Sequence, residues 1–233
     1  MRGPGFASCP DVDRVFADRR HAGRELAAAL AANPDFRRLD AVVLALPRGG
    51  VPVAFEIAAA LDAPLTVFVV RKLGVPGHRE LAMGAIASGG IRILNDDVVR
   101  QLSIPQKAID EVVAREMKEL QRQERLYHGT HPLPPIAGHS AVLVDDGLAT
   151  GATMRAAIHA VRLHRPTRVT VAVPVAAPDT CLQIRDEADD VVCLTTPEQF
   201  KAVGSWYRVF DQTDDDEVQM LLDEAWRRQV VRR

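Results

Sequence analysis

Short apolar runs alternate with segments of helical periodicity along most of this 233-residue chain. Runs of four to eight mostly apolar residues are typical of strands buried on both faces of a parallel sheet. They occur at residues 40–46, 65–70, 141–144, 168–175 and 191–194. Apolar residues recur at helical spacing at residues 16–32, 53–61, 154–161, 178–188 and 214–226. This order predicts an α/β fold with a mostly parallel central sheet flanked by helices.

The chain between the second and third predicted strands departs from this alternation. Residues 83–94 predict a hairpin around Ser88-Gly89-Gly90. Residues 97–127 predict a long amphipathic helix opened by Ser103-Ile104-Pro105, with an apolar stripe at Ile109, Val112, Val113, Met117 and Leu120. We expect this stripe to pack against the core or against a second subunit, as in a homodimer.

Three of the predicted strands are followed directly by charged or small residues. Arg48, Gly49 and Gly50 come after the first strand, Arg71 and Lys72 after the second, and Asp145 and Asp146 after the third. Ligands of open parallel sheets collect outside the carboxyl ends of the strands. We therefore expect these residues to meet at one edge of the sheet.

The segment after the two aspartates has the features of a phosphate site. The segment consists of small and hydroxylic residues and leads into a predicted helix. The first N–H groups and the positive dipole end of a helix attract anions. The residues of the segment are Ala149, Thr150, Gly151, Ala152 and Thr153. Asp145 and Asp146 lie one short loop away and suit a diol or a hydrated cation. A phosphate site beside a diol site predicts a ribose 5-phosphate ligand. The alternative is an ordinary strand-to-helix connection with Asp as a turn or cap residue.

Residues 141–154 as a whole resemble the phosphoribosyl pyrophosphate (PRPP) motif of type I phosphoribosyltransferases: four apolar residues, two acids and a Thr-Gly-x-Thr loop. The resemblance covers roughly residues 40–94 and 138–210. It implies a magnesium-dependent enzyme that transfers the 5-phosphoribosyl group of PRPP to a nitrogenous base or amine and releases pyrophosphate. It further implies a single domain over residues 1–233, with a helical insertion at about 97–135.

The resemblance also assigns roles to the predicted site residues. Asp145 and Asp146 would hold the ribose hydroxyls and order metal-bound water, and Ala149 to Thr153 would hold the 5-phosphate. Arg48, Gly49 and Gly50 occupy the position of the pyrophosphate loop. Arg71 and Lys72 would neutralise the leaving pyrophosphate, and they precede a segment, residues 73–81, that corresponds to a mobile loop carrying Glu80 as a possible base.

One position of the sequence narrows the choice of acceptor base, and the other residues leave that choice open. In the family a small subdomain, the hood, covers the base, and residues 197–233 supply candidates for it, with Phe200 and Trp206 as stacking residues. Core packing explains these aromatics equally well. Members that use 6-oxopurines carry an aspartate where this chain has Ala149. Because alanine cannot accept a proton, we expect hypoxanthine and guanine to be poor acceptors.

Composition and charge fit an ordinary cytoplasmic protein. The formal net charge of −2 gives no basic excess that would indicate nucleic acid or an acidic membrane surface as a partner. Cys9, Cys181 and Cys193 are odd in number and lack metal-ligand spacing, which favours reduced thiols. Two other functions stay open: a non-catalytic PRPP- or nucleotide-binding regulator, and an interaction role through the helix at 97–127. The sequence does not name the acceptor.

Overall fold

The structure, a computed structural model, describes residues 14–33, 36, 40–129 and 133–232. The strands are β1 (Ala41–Ala45), β2 (Leu65–Val67), β3 (Val70–Val75), β4 (His78–Ala87), β5 (Ile91–Leu94), β6 (Ser140–Val144), β7 (Arg168–Val175) and β8 (Asp190–Thr195). The helices are α1 (Arg19–Ala32), α2 (Gly50–Leu61), α3 (Asp96–Gln101), α4 (Gln106–His128), α5 (Ala152–Leu163), α6 (Pro178–Glu187) and α7 (Asp215–Arg232).

The larger sheet has five parallel strands in the order β2-β1-β6-β7-β8 and is covered on both faces. Successive residues of a strand point to opposite faces. Val43 of β1 accordingly packs in one core cluster with residues of α1, α2 and α7, while Leu44 packs in a second with residues of α5 and α6. The predicted α/β class with a mostly parallel central sheet is confirmed.

The smaller sheet is antiparallel, in the order β3-β4-β5, and it corrects two predictions. The predicted strand at residues 65–70 leaves the large sheet after Val67 and resumes as β3 in the small one. The predicted mobile loop at 73–81 is a β-hairpin with its turn at Pro76 and Gly77. Phe68 and Val69, which link the two sheets, are also buried, so the apolar run continues through the change of partner strand.

The predicted long helix is α4, preceded by the separate short helix α3. Ile109, Val112 and Leu120 of its stripe are buried, and Val113 and Met117 are half-buried against the same core. The stripe therefore packs within the chain, in a core cluster to which α4 adds its contacts with β3, β4, β2 and α7. This outcome favours the core over a second subunit as the partner of these residues.

Two residues of the sequence analysis lie partly or wholly outside the described structure. Cys9 lies outside the described residues. The backbone of Glu80 belongs to β4, but its side chain is outside what the structure describes. Among the helices of the described ranges, none is both long enough and apolar enough to cross a membrane.

Candidate active site

Two loops meet where the neighbouring strands β1 and β6 end. We call residues 47–50 the glycine loop and residues 149–153 the phosphate loop. The N–H of Leu46 donates to the carbonyl of Val144 at 2.9 Å, which holds the two strand ends together. A methyl group added at Gly49 would lie 2.0 Å from Oδ2 of Asp146, and one at Gly50 would lie 2.6 Å from the carbonyl oxygen of Val144. A larger residue would therefore have to displace the Asp146 carboxylate at position 49, or the backbone of Val144 at position 50.

The phosphate loop leads into α5 in the manner that the sequence predicts. Gly151 has a φ of +67°, a conformation that favours glycine, and α5 begins at the next residue. The N-cap residue Gly151 has no side chain to cap this helix, which leaves the first N–H groups to another acceptor such as an anion. Thr150 and Thr153 are exposed. The loop is also anchored to α6, because the hydroxyl of Thr180 donates to the carbonyl of Ala149 at 2.6 Å.

The acidic pair, Asp145 and Asp146, is held by residues that the motif did not indicate. Nε of Arg19 in α1 donates to Oδ2 of Asp146 at 2.8 Å, and both side chains are largely buried, with exposures of 12% and 15%. The hydroxyl of Tyr207 donates to the carbonyl oxygen of Asp146 at 2.6 Å. The guanidinium of Arg19 also lies 3.9 Å from the ring centroid of Phe210. Arg19 is 127 residues from its partner, so no local sequence signal could reveal the contact.

The surroundings of the acidic pair leave it short of positive charge. Burial raises the pKa of Asp145 well above its ordinary value, and the neighbouring charge of Asp146 adds to the effect. Burial also raises the pKa of Asp146, although the hydrogen bond from Arg19 opposes the rise. Such a pair fits a hydrated Mg²⁺, which binds one or two carboxylates and takes its other ligands from water and substrate phosphates. Within the described ranges, no three His, Cys, Asp or Glu residues are grouped to hold a metal by themselves.

Beside the two loops lies a basic cavity of about 350 Å³, which we call the guanidinium pocket. Its lining combines the glycine loop, β3, the last turns of α4 and the phosphate loop, with the residues Leu46, Pro47, Arg48, Val70, Arg71, Arg122, Gln123, Tyr127, Thr153 and Asp215. The acidic pair is not part of this lining, but Asp146 lies against the glycine loop at Gly49. The pocket therefore joins the predicted phosphate and pyrophosphate sites in one space.

Carboxylates from α4 and α7 accompany the arginines of the guanidinium pocket. Nη2 of Arg71 lies 2.7 Å from Oε2 of Glu116, and Nη1 of Arg48 lies 3.6 Å from Oδ1 of Asp215. The hydroxyl of Tyr127 donates to the same Asp215 oxygen at 2.7 Å. Burial acts to raise the pKa of Glu116, but hydrogen bonds from Arg71 and Arg115 outweigh it and lower that pKa. Glu116 is therefore a charged partner of Arg71 at neutral pH.

Several predicted site residues lie apart from the pocket. Lys72 is exposed and follows Arg71 in β3, so the two side chains point to opposite faces of the strand, and only Arg71 lines the pocket. Phe200 and Trp206 are half-buried and pack against the core cluster of α1 and α2, outside the pocket lining. Their roles toward a base, like that of Glu80, stay predictions.

Comparison with known proteins agrees with this geometry. A family model described as the phosphoribosyl transferase domain matches residues 16–209. The Mycobacterium tuberculosis protein named "Putative phosphoribosyl transferase Rv0571c" is 50% identical over 214 residues, which are 92% of this chain and 48% of that protein. The chain thus spans about half the length of this relative. The "Bifunctional protein PyrR" of Corynebacterium diphtheriae is 31% identical over 119 residues, 48% of this chain and 63% of that one.

Among solved structures, TT1426 from Thermus thermophilus is similar over nearly its whole length. The sequence identity is 42%, the TM-score is 0.80, and the match covers 90% of this chain and 98% of that one. The family match at residues 16–209 includes the glycine loop, the acidic pair and the phosphate loop. The chain therefore belongs to the phosphoribosyltransferase family, and its fold is the type I fold that its PRPP motif indicates.

Proposed function

We propose that the protein transfers the 5-phosphoribosyl group of PRPP to a nitrogenous base or amine and releases pyrophosphate. The observation that carries the proposal is that Thr153 of the phosphate loop and Arg48 of the glycine loop line one cavity, with the acidic pair in contact with the glycine loop. PRPP carries a 5-phosphate, a ribose diol and a pyrophosphate, and these are the groups that the phosphate loop, the acidic pair and the glycine loop suit.

In the reaction, the bond between ribose C1 and a pyrophosphate oxygen breaks, and a bond between C1 and the acceptor nitrogen forms. Positive charge develops at the sugar ring, negative charge develops on the leaving pyrophosphate, and the nitrogen releases its proton. Arg48 and Arg71 would stabilise the leaving group, because guanidinium groups fixed in place before the reaction favour the charge that develops in the transition state. Asp145 and Asp146 would bind the ribose hydroxyls, and residues 149–153 the 5-phosphate.

Magnesium would be held by the acidic pair together with water and substrate oxygens, and it would supply positive charge to the pyrophosphate. The raised pKa of both aspartates supports this assignment, because burial disfavours their ionised forms and a bound cation would offset that cost.

Ala149 limits the range of possible acceptors, because its methyl group cannot take a proton from the base. The proton would pass to Glu80 or to solvent. Alternatively, the acceptor would be a nucleophile basic enough to react without a general base. We therefore propose adenine, another basic heterocycle or a simple amine in preference to hypoxanthine or guanine, with Phe200 or Trp206 as the stacking surface for a flat ring.

The test is pyrophosphate release from PRPP and magnesium across a panel of bases and amines. Asp145→Asn with Asp146→Asn should abolish both turnover and ribose 5-phosphate binding. The matched control is Asp96→Asn with Asp97→Asn, an exposed pair of adjacent aspartates at the start of α3, which should change neither.

Three results would revise the proposal. Unchanged ribose 5-phosphate affinity in the Asp145 and Asp146 double variant would refute the site. Retained PRPP binding without turnover of any acceptor would favour the non-catalytic regulator. Efficient turnover of hypoxanthine or guanine would refute the argument from Ala149.

A further inference from the structure

The guanidinium pocket contains a cation that belongs to no recognised motif, Arg122 near the end of α4. The other two arginines of the pocket come from the glycine loop and from β3, whereas Arg122 comes from the helical insertion, together with its neighbours Gln123 and Tyr127. Three guanidinium groups of separate origin therefore converge on one cavity of about 350 Å³.

The cavity offers more guanidinium groups than one phosphate group requires. Its lining holds three arginines and one carboxylate, Asp215, while Glu116 and Glu119, the partners of Arg71 and Arg122, are not among the lining residues. Guanidinium groups bind phosphate oxygens through paired N–H donors, and several of them around one cavity favour a ligand with adjacent phosphate groups. A pyrophosphate group has this chemistry.

Contacts of α4 hold Arg122 at the pocket and leave it able to bind a ligand. Tyr127, little more than one turn further along the helix, donates a hydrogen bond to Asp215, and Asp215 in turn faces Arg48. The last turns of α4 are thus tied to the glycine loop. Arg122 itself pairs with Glu119 at 2.8 Å, and its side chain is 56% exposed. Ion pairs this exposed contribute little, so a phosphate group can displace Glu119.

We infer that Arg122 is a pyrophosphate-binding residue and that the helical insertion completes the pyrophosphate side of the site. The inference rests on the proposed function, because it assigns a further residue to the same substrate. It also gives α4 a role beyond packing, since the helix that covers the small sheet also carries a cation for the leaving group.

The experiment measures inorganic pyrophosphate binding by calorimetry with the full chain in the presence of magnesium. Arg122→Gln should weaken binding about tenfold at low ionic strength, equivalent to about 1.4 kcal/mol, and by less at high salt. Arg122→Lys should recover part of the loss. Ribose 5-phosphate affinity should not change, since that ligand lacks the pyrophosphate group.

Lys107→Gln is the matched control, since it removes one positive charge from the same helix. Lys107 is exposed and lies 15 residues from Arg122, about 22 Å along the helix axis. It should leave pyrophosphate binding intact, and this result together with a loss in Arg122→Gln would support the inference.

The remaining outcomes separate the inference from the proposed function. Equal pyrophosphate affinity in the wild-type protein and Arg122→Gln would overturn the role of Arg122 and leave the proposed function standing. A wild-type protein that binds ribose 5-phosphate but no pyrophosphate would lead to the same conclusion. Joint loss of pyrophosphate and ribose 5-phosphate binding in Arg122→Gln would indicate a structural role and also overturn the inference. A wild-type protein that binds neither ligand would overturn both.

Discussion

The acidic pair and the guanidinium pocket both adjoin the glycine loop but are built in different ways. The acidic pair is held by largely buried contacts, with Arg19 on the carboxylate and Tyr207 on the backbone of Asp146. Two of the pocket arginines have more accessible partners: the side chain of Arg48 is 35% exposed and that of Asp215 is 41% exposed, and Arg122 and Glu119 are also accessible. Arg71 is the exception, because its partner Glu116 is as buried as Asp146. The acidic pair is thus fixed by packing, and most of the pocket by ion pairs near the surface.

This difference separates stability from binding. Buried ion pairs are costly to break, because removing one partner leaves a charge without compensation. Exposed pairs contribute little to stability, so their side chains can exchange a carboxylate partner for a ligand. We therefore expect substitutions around the acidic pair to affect the fold as well as the ligand, and substitutions around the pocket to affect mainly the ligand.

The largest effect is expected for Arg19→Met, which leaves Asp146 buried without its cation. We expect the free energy of unfolding to fall by about 3 kcal/mol, measured by urea denaturation. Adding Asp146→Asn should recover most of the stability, since the uncompensated charge is gone, but not ribose 5-phosphate binding. Additive losses in the double variant would show that the two side chains do not act as a pair.

Gly49→Ala is expected to have the next largest effect. The added methyl group must displace the Asp146 carboxylate, which at 2.0 Å is far too close, and it would also lie 3.3 Å from Nε of Arg19. We expect a loss of about 1–3 kcal/mol in stability, and loss of measurable ribose 5-phosphate binding by calorimetry.

Gly90→Ala is the control for this substitution. Gly90 has a positive φ of 75°, but an added methyl group would meet no atom within 4 Å. It should lose about 1 kcal/mol of stability through backbone strain and retain ligand binding. Retained binding in Gly49→Ala would show that Asp146 can move without consequence.

A third, smaller effect should appear in the pH dependence of stability. Because the folded-state pKa of Asp145 and Asp146 is raised, the folded protein holds protons that the unfolded chain has released. Stability from this pair therefore decreases as pH rises from the ordinary aspartate pKa to the folded value, and it is highest below that window. Asn at both positions removes this contribution.

Urea denaturation of the wild-type protein and the Asn double variant at several pH values tests the direction of this pH dependence. The stability of the Asn double variant minus that of the wild-type protein should be highest near neutral pH and decrease as the pH falls. A difference that increases on acidification would contradict the raised pKa. Ribose 5-phosphate affinity of the wild-type protein should fall over the same range, because the ionised pair binds the ligand and its cation.

The smallest effect is expected for Glu116→Gln, which releases Arg71 from its carboxylate. The free energy of unfolding should change by about 1 kcal/mol, because the glutamine amide oxygen can still accept a hydrogen bond from Arg71. Pyrophosphate affinity should rise about two- to fivefold, since the ligand no longer competes with Glu116 for the guanidinium. Glu111→Gln, an exposed change on the same helix, is the control. Weaker pyrophosphate binding in Glu116→Gln would mean that Glu116 positions Arg71 for the ligand.

The half of the site that sequence can predict is the half encoded in one continuous segment. The apolar run, the two acids and the phosphate loop lie within residues 141–154, and strand β7 coincides with its predicted bounds. The small sheet is predicted only in part: its β4–β5 hairpin is confirmed, but the sequence pattern merges β3 with β2. An apolar run indicates that a segment is buried but does not indicate which strand it pairs with. Because Phe68 is buried like its neighbours, the sequence pattern does not show that the chain changes sheets there.

Contacts between distant segments account for what sequence reasoning misses. Arg19 reaches Asp146 from the first helix, and Asp215 reaches Tyr127 from the last. Each of these residues also suits an ordinary solvated helix face, and nothing in its neighbourhood along the chain distinguishes it. Helix α4 is correctly predicted as amphipathic, yet the pattern describes its buried stripe and not the arginine on its other side.

The adjacency of β1 and β6 has a consequence for how the protein folds. Ala41 pairs with Ser140, so about a hundred intervening residues must be enclosed before the two loops can meet, and non-local pairing of this kind is slow. A partly folded chain therefore has no binding site, and ligand binding favours the complete fold over every intermediate. In hydrogen exchange, ribose 5-phosphate should slow the exchange of amides in the central strands, which open only when the whole domain unfolds.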